Sequence, residues 1–108
     1  MSTFCIKQGD LSPAFQLTLK DSAGTAVNLT GSTVRLHLYT QDKATVVLDK
    51  SATLVDAVNG VVKYEWVDGD TDDAGWFWVE FEVTYADSTV ETFPNSGYIG
   101  VVIEPQLA

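Results

Sequence analysis

The sequence predicts an all-β fold, an immunoglobulin-like antiparallel β-sandwich of about seven to nine short strands, in one domain covering residues 1–108. Three observations carry this. Between Trp76 and Tyr85 the odd positions Phe77, Val79, Phe81, Val83 and Tyr85 are all apolar or aromatic, while Glu80, Glu82 and Thr84 are polar. Side chains alternate across a strand, so a period of two means one buried and one solvated face. Asn59-Gly60 separates two apolar-alternating runs, the composition of a tight hairpin turn. No segment combines helix caps with a helical apolar period.

Taken in order, Thr3 to Gln8 sets Phe4 and Ile6 against Cys5 and Lys7 and reads as a short strand broken by Gly9-Asp10. Pro13 opens a second strand with Phe15, Leu17 and Leu19 on one face. Asp21 to Gly24 is a turn by composition, because Asp caps it and Gly accepts positive φ. Val27 and Leu29 return from it, and Thr30-Gly31 turns again. Thr33 to Thr40 is a strand with Val34, Leu36 and Leu38 inward and Arg35, His37 and Tyr39 outward. Gln41 to Ala44 is a polar loop, and Val46 to Leu48 is a short apolar piece whose alternation fixes no register.

A two-residue type I′ turn at Asn59-Gly60 would set Val58 opposite Val61, Ala57 opposite Val62, Asp56 opposite Lys63 and Val55 opposite Tyr64. Val62, Tyr64 and Trp66 would then share a face with Ala57, Val55 and Thr53, and Asp56 and Lys63 would form a charge pair on the other. After the long strand, Asp87-Ser88 turns so that Val90 and Thr92 pair with Tyr85 and Val83. Pro94 to Gly97 breaks the chain, and Tyr98 to Ile103 forms the last strand. Asp73-x-Gly75-x-Phe77-x-Val79 resembles the corner pattern of an immunoglobulin F strand, with Phe in place of the corner Tyr and Val in place of the Cys.

Composition limits the partners. With 15 acidic and six basic residues the formal charge is −9, which works against phosphate backbones and anionic lipid, so neither nucleic acid nor membrane is expected. The apolar share of 45%, with three Trp, four Tyr and five Phe, is too high for disorder. Cys5 is alone, so neither an intrachain disulfide nor a cysteine zinc site can close, which suits a reducing cytoplasm. Lys7 and Asp10 interrupt any apolar leader, and no run reaches the length of a membrane span. The expectation is a soluble protein.

Candidate chemistry is sparse. Asp68, Asp70 and Asp72 have the spacing of the first calcium-loop ligands, but Asp73 stands where the loop needs Gly and Val79 where it needs the bidentate Glu. They read better as a solvated corner bonding its own amides. His37 points outward with no nucleophile to pair with it, Cys5 reads as a space-filling residue, and Glu80 and Glu82 as surface carboxylates. Neither a phosphate loop nor a metal cluster appears, so no catalytic residue, metal or cofactor is expected and the chain reads as non-enzymatic. The anomaly is Trp76 and Trp78, on the face that should be wet. Either loops bury that face, or the two rings belong to an interface with Arg35, His37 and Tyr39.

An ordered set of segments carries a resemblance. Ile6-Lys7-Gln8-Gly9-Asp10, Leu29-Thr30-Gly31 with Thr33-Val34, Gly60-Val61-Val62-Lys63-Tyr64 with Trp66, Asp70-Thr71, Gly75, Glu80-Phe81 and Thr92-Phe93-Pro94 together resemble the N-terminal domain of phage baseplate upper proteins and related small virion proteins of tailed phages. The resemblance implies an immunoglobulin-like sandwich in the virion, assembled in the bacterial cytoplasm. It would dock onto other phage virion proteins, as a homo-oligomer (a trimer) or in many copies. Baseplate upper proteins continue into a stalk and a domain that holds receptor-binding proteins. A chain ending at Ala108 is expected to dock without that cargo, as a tail or baseplate adaptor or as a capsid decoration protein. From another class, Tyr39, Trp76 and Trp78 could stack on sugars in a carbohydrate- or receptor-binding module.

Overall fold

The computed structural model describes residues 3–107. They form β1 (Thr3–Lys7), β2 (Phe15–Thr18), β3 (Thr33–Thr40), β4 (Val46–Asp56), β5 (Val61–Tyr64), β6 (Gly75–Thr84), β7 (Val90–Phe93) and β8 (Ile99–Glu104), with no helix among the described residues. The strands run in the order β1-β8-β6-β3-β4-β5-β2, with β7 also on β6, as one sheet that curls back on itself. All pairs are antiparallel except β1 with β8, which is parallel, a departure from the wholly antiparallel expectation. The two layers meet through β4: Val46 to Ala52 pairs with β3, and Thr53 to Asp56 pairs with β5.

Alternation builds the core. Val34, Leu36 and Leu38 of β3, and Phe77, Val79, Phe81 and Val83 of β6, point inward and are buried. Phe15 and Val62 close over them from the opposite layer, with Phe15 meeting Phe81 edge-on at 5.7 Å. Phe4 stacks on Phe15 at 4.7 Å and joins β1 to β2. Trp66 is buried and donates its indole N–H to the Pro13 carbonyl at 3.1 Å.

Two hairpin registers differ from expectation. The β4–β5 loop spans Ala57 to Gly60, and of Asn59 and Gly60 only Gly60 has positive φ. A type I′ turn needs both residues there. Asp56 therefore pairs with Val61 rather than Lys63, and a bulge at Val55 shifts the ladder again so that Leu54 pairs with Val62. The total slip is odd, which exchanges the faces of β4. Leu54 turns inward while Val55 is exposed. Lys63 bridges Glu65 at 3.1 Å, and Asp56 accepts from the Asn59 amide side chain at 2.8 Å. In the β6–β7 hairpin, Tyr85 N–H donates to Thr89 O at 2.8 Å, leaving three residues in the loop. Val90 consequently pairs with Thr84 and Thr92 with Glu82, one residue from the expected partners.

Candidate functional site: an aromatic sheet face

The polar positions of β3 and β6 make the outward face of one layer. Register sets Tyr39 beside Trp78, His37 beside Glu80 and Arg35 beside Glu82. On the other flank of β6, Trp76 lies beside Val102 and Trp78 beside Gly100. All five residues singled out from sequence, Arg35, His37, Tyr39, Trp76 and Trp78, are thus on one face of one sheet. Loops do not bury that face: Trp76 is 41% exposed and Trp78 half-buried.

The aromatic part is continuous. Ring centroids are 5.7 Å apart for Trp76 and Trp78, and 5.5 Å for Trp78 and Tyr98. Gly100 makes room: a β-carbon there would run into the Trp76 ring. Trp78 donates its indole N–H to the Gln41 carbonyl at 2.9 Å. The Lys43 ammonium sits 4.0 Å from the Tyr98 ring centroid and 5.4 Å from that of Trp78. Tyr39, Lys43, Trp78, Glu80 and Tyr98 line a groove of about 170 Å³. Exposed Val46 pairs with Tyr39 at the far edge.

The charged part is organised around Asp49. Arg35 donates through Nε to Asp49 Oδ1 at 2.7 Å, and His37 Nε2 lies 3.1 Å from the same oxygen. The Arg35 hydrogen bond holds the Asp49 carboxyl below its ordinary range, and His37 adds to this. Glu80 and Glu82 join no ion pair among the described residues. Burial raises the Tyr39 phenol above its ordinary value, with further contributions from Glu80, Glu82 and Asp49.

Sequence reasoning did not gather Tyr98, Lys43 and Gly100 into this face. Tyr98 and Gly100 were within reach, since alternation from Ile99, Val101 and Ile103 puts both on the opposite side. A glycine inside a strand also marks a close approach. Lys43 comes from a loop and left no periodic signal.

In the acidic corner the three aspartates part ways. Asp70 is buried and accepts from the Tyr64 hydroxyl, the Val67 amide and the Lys50 ammonium, whereas Asp68 and Asp72 are exposed. Asp70 is spent on its own corner. At the corner that precedes β6, Phe77 is buried and its ring lies 3.7 Å from where a Gly75 β-carbon would stand.

Fold and surface define a β-sandwich domain whose polar and aromatic chemistry gathers on an open sheet face. The chain belongs to the BppU (baseplate upper protein) N-terminal domain family, which it matches over residues 5–95. That family is one of structural phage proteins. Among solved structures, the chain is similar to CopC from Methylosinus trichosporium OB3b, at 12% identity and a TM-score of 0.56, with 100% of this chain and 89% of that chain covered. At that identity the likeness is one of fold. No curated protein matches the chain.

Proposed function

We propose that this chain is a non-enzymatic structural component of the phage virion, at the tail baseplate, that docks onto other virion subunits through the outward face of β3, β6 and β8. Family membership supports the baseplate setting. The observation that carries docking is the Trp76–Trp78–Tyr98 line, three large aromatic rings side by side on an open face. The core is filled from the opposite side of the same strands, so these rings are not needed to complete it. Tryptophan and tyrosine are enriched among the few residues that dominate the energy of protein interfaces.

The test is a Trp76→Ala, Trp78→Ala double variant. It should fold, and its incorporation into particles should fall at least about tenfold, the loss expected from two interface anchors. Full incorporation of the folded variant would refute the reading. Multi-copy assembly, with a trimer as the first form to test, belongs to the same proposal. An electron-microscopy map of the particle gives copy number and partner, and a position on the capsid shell would replace the baseplate reading with decoration.

A further inference from the structure

We propose that the groove between Trp78 and Tyr98 is a cation-recognition site, filled by Lys43 in the free chain and taken over on docking by an arginine side chain of the protein partner. This deepens the docking reading and rests on it for the identity of the partner.

The groove is chemically a cation cage. Its lining is Tyr39, Trp78, Tyr98, Glu80 and, as the one basic group, Lys43. Aromatic faces carry partial negative charge and attract ammonium and guanidinium groups within about 6 Å. Lys43 shows the geometry is right, with its Nζ over both rings. Its hold is weak. Lys43 is exposed, joins no ion pair among the described residues, and has φ of 63°, left-handed backbone that a residue with a β-carbon adopts against its preference.

Charge decides what replaces it. Glu80 lines the groove and Glu82 follows it on the same face, yet their cross-strand neighbours His37 and Arg35 both turn to Asp49. One carboxylate, Glu80, therefore lines the groove, and a second, Glu82, stands beside it on the face, neither in an ion pair among the described residues. An apolar plug would strip water from Glu80 and leave it unpaired, a costly outcome. A guanidinium stacks flat on a ring and forks to a carboxylate at once, which an ammonium does less well. A chain of charge −9 also draws a basic surface toward it.

The experiment titrates the unaltered chain with a hexa-arginine peptide and follows Lys43 by NMR. In the free chain the ring currents of Tyr98 and Trp78 should hold the Lys43 ε-protons upfield of a free lysine. The peptide should return them toward the free value. Lys43→Ala should bind the peptide about two- to five-fold more tightly than Lys20→Ala, which removes the same charge away from the groove. Tyr98→Leu and Trp78→Leu keep apolar cover and net charge, and should weaken binding by a similar factor. Lys43 protons at the free value in the unaltered chain, equal affinity of the two lysine variants, or leucine variants that bind as tightly as the unaltered chain would each overturn the proposal. Displacement of Lys43 by a neutral chitin tetrasaccharide and not by the peptide would overturn it in favour of a sugar. Peptide displacement is read without any virion protein. Its failure, with the Trp76, Trp78 variant still excluded from particles, removes the cation site and leaves docking standing; displacement with full incorporation does the reverse.

Discussion

Gly100 and Trp76 show how one missing side chain shapes the surface. The atoms that a β-carbon at Gly100 would strike are the far edge of the Trp76 ring, which is 41% exposed and able to swing out. Gly100→Ala should therefore cost no more than about 1 kcal/mol in stability while displacing the ring. Urea unfolding checks the first part, and a change in tryptophan emission of the folded protein checks the second. Asp70 is the opposite case. Its carboxylate gathers a phenol in buried surroundings and an amide and an ammonium in part-buried ones. Asp70→Ala leaves the Tyr64 hydroxyl and Val67 amide without an acceptor and should cost about 3 kcal/mol, read as a lower urea midpoint. Sequence showed three spaced aspartates; only packing showed that one of them turns inward.

At the scale of the element, β6 and β3 were legible because each keeps a strict period of two and is buried on one face along its length. β4 was not. It passes from one layer to the other, and Lys50, cross-strand from Leu36, interrupts the apolar row on its way to Asp70. Its hairpin loop is governed by Gly60, whose φ is 72° and whose missing β-carbon would lie 2.7 Å from the Val27 carbonyl oxygen and 2.9 Å from that of Leu19. Both obstacles are backbone and cannot swing aside. Gly60→Ala should cost about 3 kcal/mol or more, whereas Gly24→Ala, also at positive φ but with open space around it, should cost about 1 kcal/mol. Parallel thermal melts compare the two. Similar losses would mean that the close approach of Leu19 and Val27 to the loop is not a constraint.

For the molecule as a whole, raised phenols tie stability to alkaline pH, Tyr64 and Tyr85 most strongly. Burial, then the Asp70 carboxylate, holds the Tyr64 phenol above its ordinary 10.0. Burial, then Glu91, pushes Tyr85 up to about 12. Above the unfolded value the unfolded chain sheds these protons while the folded chain keeps them. The native state then binds more protons, and stability falls as pH rises. For Tyr85 the window runs from 10.0 to about 12. Urea midpoints should fall across that window, and Tyr85→Phe should make the fall shallower. An unchanged slope would show that Tyr85 titrates alike in both states. Net charge acts at this scale too: with a formal charge of −9 on the chain, the proposed association with a basic partner should weaken as salt is added.

By itself the sequence determined the all-β class, the inward sets of β3 and β6, the outward placement of Trp76 and Trp78, and the ordered segments that resemble the baseplate upper family. These are local facts, written in periodicity and residue order. The tertiary structure alone decided the parallel pairing of β1 with β8, the passage of β4 between layers, the two loop lengths that set register, and the meeting of Tyr98 and Lys43 with Trp78. The physical reason is common to all four. Alternation fixes which side of a strand is buried, but neighbours across a sheet are chosen by backbone pairing and loop closure. Those depend on residues far apart in the chain.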